Sequence, residues 1–387
     1  MKLKMFKRAN GTFGVRNRIA VIPTVACVNH VAEKIAAAVD VADAYTHPYG
    51  CDQLGADLTL SFECLRLMGT HPNTGAVLVV GLGCEEILPH ELYEAIKTEQ
   101  PDTELIVMQE FGGTLDTVER GIEICEAFKE KLIKQERVDA DISELTVGLE
   151  CGGSDFTSGI ASNPSLGKMA EKLINAGAKV VFGETTELMG AEGILKELCE
   201  NEKDYDFICD RIKRVENTAI DMKVDLRGTQ PSPGNIDGGL TTIEEKSLGA
   251  VCKIGQCKIV DAIEFGEKAK KHGGITFVDT PGNDIACSLG IACAGAQVLV
   301  FTTGRGTPMG FAAAPMIKVT GNSRIAKVMK ENIDIDLSGI IDTDMTIDEG
   351  GELVYEAVIK TAEGEECAAE RLGHRDFSLY RISPILT

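Results

Sequence analysis

The sequence predicts an α/β protein made of two Rossmann-like parallel-sheet regions, with the active site among the loops that follow the strands. Three observations carry this expectation. Short β-branched apolar runs alternate with stretches of helical spacing, most of the runs end in glycine, and a charged segment interrupts the alternation partway along the chain. Strand, loop and helix in repeating order make βαβ units, and these make parallel sheets.

The elements follow in order. "IAVIPTV" (19–25) reads as a strand and "VNHVAEKIAAAV" after it as a helix. "GAVLVVGLG" (75–83) and "ELIVMQEFGG" (104–113) read as further strands, and "TLDTVERGIEICEAFKEKLIKQ" as a long amphipathic helix. The charged segment 129–145 then sets a boundary near Val138, giving a first α/β domain over 1–137 and a second over 138–387. The second opens with strand "LTVGLE" and helix "PSLGKMAEKLINAG", then strand "AKVVFGE" and helix "MGAEGILKELCENE". A Gly/Pro-rich loop (227–242) follows, and loops of that length in compact domains are often functional. The pattern resumes with "GGITFVDT", "DIACSLGIACAGAQ" and "QVLVFTTGRGTPMG" and ends in an acidic tail with a helix near 353–361.

Composition narrows the function. The 387 residues are 44% apolar, enough for a large core, and the net charge of −21 argues against a nucleic-acid partner. With no tryptophan and few aromatics, no stacking platform for single strands is expected either. No run of about 18 apolar residues marks a membrane span, and "MKLKMFKRANGTFG" lacks the apolar centre of a signal peptide. The expected location is the cytoplasm, where the 13 cysteines are thiols or metal ligands.

Ligands of open parallel sheets bind beyond the C-terminal ends of the strands. Five polar, glycine-bearing segments fall there: 46–57, 81–86, 148–164, 278–284 and 301–310. Any one of them could be a simple turn, and Ser162 or Asn163 before Pro164 fits a helix N-cap. Neither a GxGxxG fingerprint nor a P-loop lysine pattern occurs. Cys27, Cys64, Cys125, Cys287 and Cys293 read as small core hydrophobes, and Cys252 and Cys257 as structural. Cys51, Cys84 and Cys151 stand at strand ends beside glycine and acids, with His47 four residues before Cys51. Such thiols with a histidine suit iron or zinc, and carboxylates suit manganese or magnesium. His47 reads equally as a general base or a loop histidine. Arg305, between two glycines, is placed to fork onto a carboxylate. Lys318 reads as a desolvated amine or as an edge-strand lysine. Glu184 and Glu187 read as acid–base candidates or as charges at a helix N-terminus.

The stretches "GVRNRIAVIPTVACVNHVA", "THPYGCDQ", "HPNTGAVLVVGLGCE", "GLECGGSDFTSGIASNPSLGKMAEKL", "GETTELMGAE", "SPGNIDGGLTTIEEKSLGA" and "AGAQVLVFTTGRGTPMGFAAAPMIKVTGN" run in order from about Gly14 to Asn322. In them the chain resembles the altronate/galactarate dehydratase family, specifically its large C-terminal part. That resemblance implies a lyase dehydrating a sugar acid to a 2-keto-3-deoxy acid with a divalent metal, Fe2+ before Mn2+ or Mg2+. It also implies a large subunit working with a separate small β-rich subunit in an oligomer. The family includes a sulfolactate sulfo-lyase large subunit, which releases sulfite, and a non-catalytic binding subunit is the remaining alternative. "NIDIDLSGII" departs from the family's Asn-Ala-Gly pattern at Leu337-Ser338, although Asp334 and Asp336 remain.

On this reading His47, Arg305, Glu184 and Lys318 are catalytic. Arg16, Asn17, Ser154, Asp155, Asn163, Thr303 and Asn322 hold substrate. His47, Cys51, Cys84 and Cys151 hold the metal.

Overall fold

The computed structural model describes residues 1–383. The chain divides into two compact units. One comprises 2–140, the short return 311–314 and, of the described residues, 375–383; the other comprises Met1, 141–310 and 315–374. No helix among the described residues is long and apolar enough to cross a membrane.

The N-terminal unit holds strands β1 (Lys2–Lys7), β2 (Phe13–Gly14), β3 (Arg18–Pro23), β4 (Ala42–Ala44), β5 (Thr74–Gly81), β6 (Thr103–Val107) and β7 (Val138–Asp141). β2-β1-β7 form a small sheet, and β4-β3-β5-β6 form the main one. The main sheet is parallel throughout, with Val21 opposite Leu78 and Val79 opposite Leu105. Its buried Ile19, Val21, Leu78 and Val80 meet the apolar faces of helices Asn29–Ala38 and Thr114–Leu132 through Ile35, Phe128 and Leu132. These helices cross closely because residue 121 is glycine: a Cβ there would lie 2.3 Å from Ile35 Cδ1.

The second unit holds β8 (Thr146–Cys151), β9 (Lys179–Phe182), β10 (Ile259–Ile263), β11 (Ile275–Val278), β12 (Val298–Thr302), β13 (Met316–Thr320) and β14 (Ile335–Asp336). Their order is β10-β11-β9-β8-β12-β13-β14, every pair parallel. Central β8 is buried along its whole length, which is why "LTVGLE" reads as a continuous apolar run rather than an alternating one.

In each sheet the chain reverses direction beside its central strand. β4 and β5 flank β3, and β9 and β12 flank β8. Loops leaving neighbouring strands at such a point diverge and open a crevice at the C-terminal edge.

Two expectations need correction. Asn163 is not an N-cap: Ser158–Ser162 already form a π-turn that runs into helix Asn163–Ala176, and Asn163 has helical φ, ψ. A π-turn of this kind recurs at functional sites. β13 is not an edge strand, since β14 pairs with it, so Lys318 does not serve to block pairing. The Gly/Pro loop carries short helices at Leu226–Thr229 and Pro233–Asp237.

Gly148 in β8 leaves no room for a methyl group, because a Cβ would lie 2.3 Å from Ile291 Cγ2 and 2.7 Å from Leu299 Cδ2. Gly148→Ala is expected to lower stability by about 1–3 kcal/mol, the usual cost of overpacking. Urea unfolding followed by circular dichroism measures it.

Candidate active site

The site grows from the C-terminal ends of β8 and β9. β8 delivers Glu150 and Cys151 as its last residues. After β9, Gly183 and Glu184 turn the chain sharply, and Glu184 adopts the left-handed region at φ 69°. Such a conformation is unusual for a non-glycine residue and is held by its surroundings. The Glu184 N–H donates to Thr280 Oγ1 at 2.6 Å. Its carboxylate accepts the Cys151 N–H at 3.1 Å. Glu187 follows in the next turn.

Two lysines complete the cluster from helix Ile243–Val251 and the turn Cys252–Ile254 that follows it. Close backbone approach makes this possible. A Cβ on Gly167 would lie 2.7 Å from the Cys252 carbonyl oxygen and 2.7 Å from Gly255 Cα, so the turn sits directly on helix Asn163–Ala176. Lys253 is thereby 1% exposed. Its ammonium ion-pairs with Glu184 and donates to Cys151 Sγ at 3.3 Å. The Cys151 thiol donates to Glu187 Oε2 at 3.0 Å, and Lys246 pairs with Glu187 Oε1 at 3.0 Å.

Burial sets the protonation states. Desolvation disfavours the Lys253 ammonium, but the Cys151 thiol and the two glutamates outweigh it, and the amine stays charged. Burial pushes the Glu184 carboxyl up to about 8, with Lys253 pulling against it. Burial also opposes ionisation of Glu187, yet Lys246 and Lys253 bring it below the usual carboxylate range. Glu150 is raised by burial and then by Glu184. Ser288 donates to one of its oxygens at 2.5 Å, and the other has no partner. Asp284 is raised to about 6 by burial and by Glu187. The Cys151 thiol is held well above its ordinary value by burial and the two glutamates. The result is a fixed positive charge ringed by acids poised on both sides of neutrality, an arrangement suited to proton transfer.

Cys151 Sγ and one oxygen each of Glu184 and Glu187 lie within 4.8 Å of one another and could hold a metal ion. A thiolate with two carboxylates suits a borderline divalent ion.

A cavity of about 250 Å3 opens onto Glu187 and Lys246, with Thr186, Gln230 and Ser247 in its wall. A second, of about 150 Å3, lies against Ser154, Asp155, Asn163 and Lys246. The loops that carry these residues are tied together. Gly153 O accepts from the Arg305 and Gly304 amides at 2.9 and 3.2 Å. Asp155 accepts from Thr157, Ser158 and Asn322, and Gly304 must be glycine because a Cβ would lie 2.1 Å from the Asp155 carboxyl. Asn163 donates to Gly249 O and accepts from Thr302. Thr303 accepts from the Gly306 amide, and Ser154 O accepts from Asn235. Much of the polar density in 148–164 therefore knits loops. Arg305 is exposed, and among the described residues its guanidinium has no acidic partner.

Lys318 is fully buried, its amine donating to the Pro308 and Met309 carbonyls at 3.1 and 2.7 Å. In the N-terminal unit, His47 is neutral, its pKa lowered to about 4 by burial. Its Nε2 donates to Pro23 O at 2.8 Å and its Nδ1 accepts the Tyr49 N–H at 3.3 Å. Cys51 and Cys84 stand on the loops after β4 and β5 of that unit, whereas Cys151 belongs to the other. Arg16 and Asn17 precede β3, at the edge of the sheet opposite the strand C-termini. Asn17 accepts from Arg8 and donates to Leu132 O and Gln135. Cys64, Cys125, Cys287 and Cys293 are buried as expected, but Cys27 is exposed. Sequence reasoning missed Lys253, Lys246, Glu150 and Asp284. The only available signal was the position of Glu150 beside Cys151 at a strand end.

The chain matches the family described as D-galactarate/Altronate dehydratase, C-terminal, over residues 142–385, and the one described as D-galactarate dehydratase/Altronate hydrolase, second domain, over 5–132. It is 34% identical to altronate dehydratase of Escherichia coli (strain K12) over 98% of this chain and 78% of that protein. The chain belongs to the altronate/galactarate dehydratase family. Another member, galactarate dehydratase (L-threo-forming) of E. coli, is 30% identical over 98% of this chain and 76% of its own. The (2R)-sulfolactate sulfo-lyase subunit beta of Chromohalobacter salexigens is 35% identical over 97% of this chain and 96% of that subunit. The buried lysine–carboxylate cluster is the candidate centre of this family member.

Lys253→Met removes the buried ammonium that Glu184 and Glu187 both face and is expected to cost about 3–5 kcal/mol of stability at neutral pH. The double variant with Glu184→Gln recovers part of that loss, which a double-mutant cycle of urea midpoints reads. Asp284 gives a pH signature. Its folded pKa is raised from 3.8 to about 6, so the native state keeps a proton that the unfolded chain has lost. Its contribution is full below 3.8 and is lost as pH rises through about 6. Asp284→Asn is expected to flatten this part of the stability–pH curve.

Proposed function

We propose that this chain is the catalytic large subunit of a two-polypeptide lyase that dehydrates an aldonic or aldaric acid, altronate or galactarate first, to its 2-keto-3-deoxy acid. The observation that carries the reading is the fully buried Lys253–Glu184 pair at the strand ends of a chain from a dehydratase family. Such an elimination removes the proton α to a carboxylate and forms an enolate, which needs positive charge beside it and a base of matched pKa.

In this scheme Glu184, titrating near neutrality, takes the α-proton. Lys253 and Lys246 face the developing negative charge with their own charges already fixed. Asp284 returns a proton to the departing hydroxyl, so water leaves and the enol becomes the ketone. Arg305 captures the substrate carboxylate, and the loop residues Ser154, Asp155, Asn163, Thr303 and Asn322 set the shape that receives the substrate hydroxyls. Cys151, Glu187 and one oxygen of Glu184 would hold a divalent ion, Fe2+ before Mn2+ or Mg2+, which would supply Lewis acidity when bound, and the other Glu184 oxygen is left to take the proton. A second polypeptide is supported by the relative whose name makes it one subunit of an enzyme.

A second reading, a sulfonate lyase releasing sulfite, is supported by that relative's 35% identity along 97% of this chain. A panel of aldonic and aldaric acids with sulfolactate, assayed separately for 2-keto acid and for sulfite, tests both. Keto acid without sulfite is expected; sulfite only from sulfolactate replaces the first reading with the second. Arg305→Ala is expected to raise KM about 10-fold or more, the loss of one charge-assisted pair. An unchanged KM removes Arg305 from the scheme.

A further inference from the structure

Three thiols outside the lysine cluster stand together in the fold. Cys27 lies in the first turn after β3, Cys51 in the loop after β4 and Cys84 in the loop after β5. These are three adjacent strands in the order β4-β3-β5, so all three cysteines sit at the C-terminal edge, where the N-terminal sheet changes direction. The three loops are bonded to one another within two residues of each thiol. The Ala26 N–H donates to Tyr49 O at 2.8 Å, and the Glu86 N–H donates to Gly50 O at 2.9 Å. Gly50, at φ 113°, brings the Cys51 loop onto the end of β3, where a Cβ would lie 2.3 Å from Thr24 O. The Glu85 carboxylate accepts the Leu82, Gly83 and Cys84 amides at 2.8, 2.6 and 2.8 Å and the Thr24 hydroxyl at 2.5 Å. His47, with both ring nitrogens engaged, clamps the Cys51 loop to Pro23.

Cys27 and Cys84 are exposed and Cys51 is partly so, which is not the placing of core hydrophobes. The three sulfurs do not all lie within 4.8 Å of one another. Thiolates on one zinc-like ion, each about 2.3 Å away, lie within about 4.6 Å. In a cubane iron–sulfur cluster each thiolate takes a different iron, so the sulfurs stand farther apart.

We propose that Cys27, Cys51 and Cys84 bind a 4Fe–4S cluster through three of its irons, leaving the fourth iron free of protein thiolate and open to a ligand oxygen. This site is separate from the Cys151–Glu184–Glu187 set and does not rest on the sugar-acid reading.

The test uses the full chain, purified without oxygen and treated with ferrous iron and sulfide. Expected are iron and acid-labile sulfide in equal amounts, about four of each per chain, with a broad visible absorption and a paramagnetic signal on reduction. Cys27→Ser, Cys51→Ser and Cys84→Ser each lower the cluster content at least about tenfold, while Cys209→Ser leaves it unchanged. Because Cys27 and Cys84 are exposed, their serine variants keep the wild-type urea midpoint, which separates lost binding from lost folding. Iron bound without sulfide overturns the proposal, as does a cluster that survives in all three serine variants. Iron without sulfide that is lost in Cys151→Ser belongs to the other set, so the two readings fail independently.

Discussion

The charge on Lys253 is the constraint on which the rest of the second unit depends. An ammonium with 1% of its surface exposed is tolerable only with acids held against it. Glu184 must therefore keep its left-handed backbone, and Glu187 must share its charge with Lys246 and the Cys151 thiol. The glycines at 167 and 255 let the lysine-bearing turn come down onto helix Asn163–Ala176. Removing water from this cluster also sets its acids apart: Glu187 is lowered by its lysines, Glu150 is raised well above the ordinary value, and Glu184 and Asp284 are raised to about 8 and about 6. Several acids in one small volume thus acquire different duties from their surroundings alone.

The fold was legible where periodicity is strong. "LTVGLE", "AKVVFGE", "GGITFVDT" and "QVLVFTT" become β8, β9, β11 and β12, and the glycines after them mark the loops that carry chemistry. Cys151, Glu184 and Arg305 were visible as site candidates because each directly follows, or ends, such a strand. Lys253 and Lys246 were not. "TTIEEKSLGAVCKIGQC" reads as an ordinary charged helix, and only contacts made far along the chain, through Gly167, Gly255 and Glu184, turn its lysines inward. Cys27 misled in the opposite direction: an apolar context suggested a core position, but it lies just beyond the strand end, where the chain leaves the sheet. The return of 311–314 and of 375–383 to the N-terminal unit has no local pattern at all. There, Asn73 donates to Ala313 O and Tyr45 stacks on Phe377, pairings fixed by tertiary packing alone.

The two parallel sheets offer the same physical opportunity and line it with different groups. Each reverses direction beside its central strand, and each places its polar and sulfur-bearing residues at the C-terminal edge there. In the second unit the harvest is lysines and carboxylates around one thiol. In the first it is three thiols on loops bonded to each other, with His47 and Glu85 spent on holding those loops. Polar side chains in such loops divide into those that touch a ligand and those that fix the backbone. Asp155, Asn163 and Asn322, with their hydrogen bonds to neighbouring loops, do the second.

The central claim is that the buried cluster abstracts the proton α to the substrate carboxylate, with Glu184 as the base. Its most direct test is the exchange of that proton in heavy water, followed by magnetic resonance on recovered substrate and product, for the wild-type chain and for Glu184→Gln. The account predicts deuterium at the α-carbon with the wild type and a loss of both exchange and turnover of about 100-fold or more with Glu184→Gln, substrate binding being retained. Undiminished exchange in Glu184→Gln would contradict it and move the base elsewhere in the molecule.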